Sequence, residues 1–175
     1  MEDLPVAKLR VSTEEVPFRW MTGTQSHEGM AGTKAAIDHI AWIGREFSGN
    51  ANLGRRAALG VAFSAIEKHE RGLCLRMIEG LMEIEGLKIW GITDPERIME
   101  RAPTVSFTHP NMTANEIGTI LAERGIFVWA GNFYALELTE TLGLEPEGVL
   151  RAGILHYNSI EEVNYFVDSV REILG

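Results

Sequence analysis

The chain opens without a hydrophobic period of any length. Residues 1 to 33 show neither helical nor strand spacing and are punctuated by Pro5, Pro17, Gly23, Gly29 and Gly32, so they read as an irregular arm ahead of one structured region, 34–175. From Lys34 onward Ala36, Ile40, Ile43 and Phe47 recur at helical spacing and predict an amphipathic helix that stops in the Ser48-Gly49-Asn50 turn. A longer helix is predicted from about Arg55 to Glu85, with Ala62, Ile66, Leu73, Met77, Leu81 and Ile84 on one stripe and an interruption near Gly72. His69 lies at the edge of that stripe, where a lone histidine is more often a surface or core-rim residue than a ligand.

Beyond Glu85 the pattern becomes short strands alternating with helices. Leu87–Ile92 and Thr104–Thr108 read as strands, the second with Val105 and Phe107 facing one way. Thr113 and Glu116 form a capping box for a helix whose buried face is Ile117, Ile120 and Leu121 and whose end is Arg124-Gly125. Ile126–Trp129 and Val149–Tyr157 read as two more strands. A second box, Ser159 with Glu162, opens a terminal helix with the stripe Val163, Phe166, Val170 and Leu174. The order ββαββα implies an α+β fold: a small, mainly antiparallel sheet with helices on one face, plus the long helix and the N-terminal arm.

Composition bounds the partners. At 45% hydrophobic and 23% charged residues the chain is ordinary globular material, and no stretch has the length of uncharged apolar sequence that a membrane span needs. With 16 Lys plus Arg against 25 Asp plus Glu, and no basic cluster, nucleic acid and anionic membranes are poor partners; a small molecule or a protein is expected. Cys74 is the only cysteine, which excludes an internal disulfide and a cysteine-built metal site, and no metal ligand set is expected. With Glu2 and Asp3 followed by no apolar run, the expectation is a soluble, cytoplasmic protein.

Three features exceed background. Gly23-Thr24-Gln25, with Gly29 and Gly32, puts a hydroxyl, an amide and open backbone at a helix entrance suited to a phosphate, although glycines that merely shape a turn ahead of a cap at Thr33 are the commoner reading. Arg151 interrupts the apolar run Val149–Leu155, where a guanidinium needs an anion: either an acidic residue of the chain or a ligand carboxylate gripped by the forked donors. Gly153 beside it leaves room for a ligand or marks a bulge. The Trp129–Tyr134 loop, rich in aromatic and amide groups, suits a pocket wall or a core plug.

In this order the segments resemble a known family. Gly23-Thr24-Gln25, then Ser26-His27-Glu28-Gly29 and Ala31-Gly32, the Arg124–Val128 run leading to Trp129 and Gly131–Ala135, and the closing Leu150–Val163 stretch look like the C-terminal part of fold-type-I, pyridoxal-phosphate-dependent enzymes of the class V aminotransferase group, cysteine-desulfurase-like subgroup. The pattern Arg151-x-Gly153-x-x-His156-Tyr157-Asn158-x-x-Glu161-Glu162-Val163 is its most specific piece. The resemblance implies that Thr24, with Gln25 beside it, reaches the cofactor phosphate across a dimer interface, that Arg151 binds the substrate carboxylate, and that Gly131, Asn132 and Tyr134 border the pocket.

Two departures qualify what the resemblance implies. Such enzymes hold pyridoxal phosphate as a Schiff base on a lysine in a serine-x-histidine-lysine segment. None of Lys8, Lys34, Lys68 and Lys88 lies in one, and Lys8 belongs to the stretch that follows it, so the chain corresponds to roughly the C-terminal half, with no cofactor expected on it covalently. Desulfurases also carry a nucleophilic cysteine where this chain has Tyr134, and persulfide chemistry needs a thiolate. The reading is therefore a C-terminal small domain supplying carboxylate and phosphate contacts to an enzyme acting on an amino acid, inactive alone and expected as a homodimer or paired with an N-terminal half. The alternatives are a stand-alone amino-acid-binding regulatory module, which would use Arg151 without a cofactor, and an inactive remnant.

Overall fold

The computed structural model describes residues 3–7 and 9–175; Met1, Glu2 and Lys8, including the expectations placed on them, lie outside the described residues. Two compact units divide the chain, Met1–Ala62 and Phe63–Gly175.

In the first unit a short 3-10 turn, Phe18–Trp20, precedes helix α1, His27–Ser48. The helix starts seven residues earlier than the apolar stripe predicts, inside the segment read as an arm. Its cap is Ser26, whose hydroxyl oxygen accepts from the Gly29 N–H at 3.2 Å, and not Thr33, whose hydroxyl donates back to the Gly29 carbonyl within the helix. The expected stripe is only partly covered: Ala36 is exposed and Phe47 is 71% exposed, whereas Ala41 and Gly44 are buried. Gly44 is the contact point. A Cβ there would stand 1.8 Å from the Ala58 carbonyl oxygen, so α1 meets the first turns of helix α2, Arg55–Met82, backbone against backbone. Helix α2 runs through Gly72 without the predicted interruption.

The second unit holds strands β1 (Lys88–Trp90), β2 (Thr104–Thr108), β3 (Trp129–Gly131) and β4 (Val149–Gly153), with helices α3 (Ala114–Glu123), α4 (Leu136–Thr141) and α5 (Ile160–Leu174). The four strands form one sheet in the order β1-β2-β4-β3, every neighbouring pair antiparallel, which is the α+β arrangement the pattern predicts. Alternation sets the faces. Val105 and Phe107 of β2 and Leu150 and Ala152 of β4 are buried in one cluster with Leu73, Met77, Ile78 and Leu81 of α2, Ile117 and Leu121 of α3, and Val163, Phe166, Val167 and Val170 of α5, so all three helices lie on the same side. The Phe107 and Phe166 rings meet edge to face at 6.4 Å.

Both predicted capping boxes are present with reciprocal bonds, Thr113 with Glu116 and Ser159 with Glu162. Three details differ from the sequence reading. Strand β3 is displaced toward the C-terminus of the predicted Ile126–Trp129 run, β4 ends at Gly153 instead of Tyr157, and α4 lies between β3 and β4. The residues after Gly153 turn instead of extending because the Asn158 side chain holds them: its Oδ1 accepts from the Leu155 N–H at 2.8 Å and its amide donates to Glu162 at 3.2 Å. His69, read as a surface or rim residue, is exposed, with its Nε2 2.9 Å from the Asn158 carbonyl oxygen.

Candidate functional site

Strand β4 places Arg151 opposite to its core-facing neighbours Leu150 and Ala152. Directly paired residues of antiparallel strands share a face, so the register puts Trp129 of β3, Arg151 of β4, Ser106 of β2 and Trp90 of β1 in one row on the face away from the helices. Pairing with β2 is regular through Gly153, opposite Thr104, so the glycine does not mark a bulge. Arg151 is half-buried, and no carboxylate of the described residues lies within ion-pair distance of it. Its guanidinium carbon instead sits 4.0 Å from the centroid of the Phe133 ring, a cation–π contact. A contact of this kind supplies no hydrogen-bond acceptor of the carboxylate type to the guanidinium N–H donors.

Phe133 reaches that position through a strained turn. Phe133 and Tyr134 both have left-handed backbones, φ 55° and 61°, a conformation that costs of order 1–3 kcal/mol per non-glycine residue and persists only where the surroundings enforce it. The enforcement is visible. Asn132 Oδ1 accepts from the Tyr134 N–H at 3.2 Å, the Asn132 carbonyl accepts from the Ala135 N–H at 2.8 Å, and the Asn132 amide donates to Glu145 Oε1 at 3.2 Å. The hydroxyl of Thr139, on α4 and 4% exposed, bonds that same Glu145 oxygen. Beneath the turn Gly148 packs on Gly131: its φ is +67° and a Cβ would stand 2.2 Å from the Gly131 carbonyl carbon, so only glycine fits.

The site residues read from sequence thus fall in two groups. Gly131, Asn132, Tyr134 and Arg151 come together in the second unit. Asn132 makes one bond from each end of its amide within the loop's own framework, so its first role is to brace the turn. The Tyr134 side chain is 101% exposed and Trp129 is 67% exposed, so the aromatic loop is no core plug. Thr24 and Gln25 belong to the first unit, just before α1; Thr24 is exposed and the Gln25 amide donates to the Gly23 carbonyl at 3.3 Å. Hydrogen bonds from its own backbone N–H and from the Ser26 hydroxyl hold the nearby Glu28 carboxyl below the usual carboxylate range. Sequence reasoning missed Phe133, Glu145, Thr139 and Gly148 as site-building residues; the only signal was the turn preference of Asn132.

Cys74 is buried in the core cluster, and burial raises its thiol pKa, offset in part by Arg101. Among the described residues no group of three or more His, Cys, Asp or Glu side chains could hold a metal ion, and no helix is long and apolar enough to cross a membrane.

The family described as Aminotransferase class-V matches residues 5–166. A probable cysteine desulfurase of Pyrococcus abyssi is 31% identical over 160 residues, covering 91% of this chain and 34% of that protein. The aminotransferase-like protein FGM3 of Gibberella zeae is 32% identical over 114 residues, 64% of this chain and 28% of that one. Among solved structures, the apo cysteine desulfurase from Thermococcus onnurineus superimposes with a TM-score of 0.70 at 29% identity, over 90% of this chain and 34% of that chain. The chain spans about a third of the length of the relatives it matches. The unpaired guanidinium on β4, the braced loop beside it and a family match running from residue 5 to residue 166 lead to one assignment: this chain belongs to the class-V aminotransferase family.

Proposed function

We propose that this chain is the C-terminal small domain of a pyridoxal-phosphate enzyme acting on an amino acid, and that Arg151 binds the substrate carboxylate. One observation carries the reading: a half-buried guanidinium packed against the Phe133 ring, with no carboxylate of the described residues within ion-pair distance. Burying a cation without an anion is costly, so a ligand that supplies one gains what the protein leaves unsatisfied.

The residues present fit part of the cofactor. The Thr24 hydroxyl and the first backbone N–H groups of α1 are donors of the kind a phosphate takes, although the Glu28 carboxylate, itself anionic, sits in the same turn. Of the described lysines, Lys34 is engaged by Asp38 at 2.5 Å and Lys88 Nζ lies 3.6 Å from the Trp90 ring, so neither stands free for its aldehyde. When bound, pyridoxal phosphate supplies an electron sink for the carbon that bears the amino group. This chain's part is then to bind and orient: Arg151 fixes the carboxylate, and the braced loop from Gly131 to Tyr134 fixes Arg151. With Tyr134 in the loop and Cys74 in the core, the chain presents no thiol to accept sulfur. The exposed apolar residues of α1, Met30, Ile37, Trp42 and Phe47, support pairing with a second copy or with an N-terminal half.

The test is a titration of the isotopically labelled chain with L-alanine, following the Arg151 Nε–H and the Trp129 indole N–H resonances, the second of which is retained in Arg151→Lys. A saturable shift is expected. Arg151→Lys, which keeps the charge but loses the paired donors, should weaken binding by roughly ten- to a hundredfold, the worth of one charge-assisted hydrogen bond of about 1.5–3 kcal/mol. Binding unchanged in Arg151→Lys would sink the assignment.

A further inference from the structure

Two aromatic rings adjoin the Arg151 guanidinium, and a third belongs to the next residue of the turn. Trp129 is the cross-strand partner of Arg151 on the same face, Phe133 stacks on the guanidinium, and Tyr134, next in the turn, is fully exposed. Across β4 the other neighbour in the row is Ser106, a small side chain. Glu145, which braces the loop, is already engaged by Thr139 and Asn132, and Lys88, whose Nζ lies 3.6 Å from the Trp90 ring, is at the other end of the row, two strands from Arg151. Beside Trp129 and Phe133 a further charged substituent on a bound carboxylate therefore meets rings in place of an opposite charge. A planar apolar one finds rings.

Geometry ties the rings to the ligand. A carboxylate pairs with a guanidinium edge to edge, and the Phe133 ring centroid lies 4.0 Å from the guanidinium carbon. A side chain carried by that carboxylate is then within reach of the Phe133 ring, with Trp129 on the edge strand paired to Arg151. The strained backbone at Phe133 and Tyr134 holds the rings in this place, and a turn held against its own preference by Asn132, Glu145 and Thr139 is built to present something.

From this we infer that Phe133 and Trp129 determine specificity: they form an aromatic wall beside Arg151 that selects carboxylates bearing an aromatic or large apolar side chain over those bearing a small or charged one. The inference rests on Arg151 being the carboxylate site and adds the class of the side chain.

The experiment is a matched pair of titrations of the full chain, L-phenylalanine against L-alanine, read on the Arg151 Nε–H and Trp129 indole N–H resonances. L-phenylalanine is expected to bind about tenfold more tightly or better, through the ring contact and the apolar area it covers. Phe133→Asn keeps a residue that tolerates a left-handed backbone but removes the ring, and should bring the two affinities to within about threefold of each other, any loss from a less firmly held Arg151 falling on both ligands alike. Trp129→Thr, on an exposed edge strand, should narrow the preference in the same direction. Equal affinity of the two ligands in the unaltered chain, with both lost in Arg151→Lys, overturns the wall and leaves the carboxylate site standing. A preference for L-phenylalanine that survives Arg151→Lys overturns the carboxylate site. No binding of either ligand overturns both.

Discussion

Replacing Gly148 by alanine probes the seat on which the Arg151 loop rests. Two penalties are expected. The first is conformational: an alanine at φ +67° sits in the left-handed region, which costs roughly 1–2 kcal/mol. The second is a collision with backbone, because the new Cβ would stand 2.2 Å from the Gly131 carbonyl carbon and 2.3 Å from its oxygen. Backbone cannot rotate aside as a side chain does, so the strands must part, at a cost of about 1–3 kcal/mol by analogy with overpacked cores. Gly143 separates the two terms, since it has φ +70° with nothing within 4 Å of its Cβ position, so Gly143→Ala carries the conformational penalty alone. Urea unfolding, followed on resonances from Val105 and Phe107 so that only the second unit is read, should show a midpoint about 1–2.5 M lower for Gly148→Ala and about 0.5–1 M lower for Gly143→Ala, taking a slope of about 2 kcal/mol per M. The Arg151 side-chain resonance should also move in the first variant and stay in the second. Equal midpoints for the two variants would refute the claim that the Gly131 contact, and not the turn conformation, demands glycine at 148.

Gly80, where a Cβ would come 2.6 Å from Val167 Cγ1, marks a close approach of α2 to α5: Gly80→Ala should destabilise the second unit despite alanine's better helix propensity, and adding Val167→Ala should recover at least about 0.5 kcal/mol of coupling in a double-mutant cycle. Hydrogen bonds from backbone and side chain, the Thr113 and Ser159 N–H groups first, hold Glu116 and Glu162 below the ordinary 4.5, so the ionised forms are the ones the fold prefers. Their contribution is fully present above that value and is lost as pH falls through the folded values; the stability gap between the unaltered chain and Glu116→Gln with Glu162→Gln, which keep acceptors but do not titrate, should therefore shrink below about pH 4.5 and stay constant from 6 to 8. Borohydride reduction of the chain mixed with pyridoxal phosphate should label Lys8, Lys34, Lys68 and Lys88 to comparable, substoichiometric extents; stoichiometric labelling of one of them would show that a lysine of this chain does hold the aldehyde.

What the sequence made legible is what local chemistry decides. Thr113 and Ser159 with their glutamates three residues on announce the starts of α3 and α5 because a capping box is complete within four residues. Strand β2 was readable from Val105 and Phe107 because one of its faces is buried and the other is not. The start of α1 was hidden: Gly29 and Gly32 lie in its first two turns and weaken the helical signal, and its apolar stripe begins only later. Strand β3 was displaced in the reading because Ile126–Val128 is the more apolar run, whereas pairing is set by the register of Trp129, Ala130 and Gly131 against β4. Arg151 stood out as a cation in an apolar strand. Phe133 did not, since its place over the guanidinium depends on two non-glycine residues in left-handed conformations held by Glu145, which is twelve positions further along the chain and names no partner by its type.

The alternation of β4 has a consequence for how the sheet finds its pairing. Leu150 and Ala152 point one way and Arg151 the other, and a slip of one residue against β2 would exchange them, driving a guanidinium among Val105, Phe107 and Phe166 while turning Leu150 out to water. An uncompensated cation in that environment costs several kcal/mol, on top of the apolar area lost. Arg151 therefore acts during folding as a proofreader: the side chain that leaves a donor edge unsatisfied in the finished sheet is also the one that makes the neighbouring registers prohibitive. Substituting it with an apolar residue of similar length removes the error signal along with the charge, and the predicted price of a stabler strand is a less faithful one.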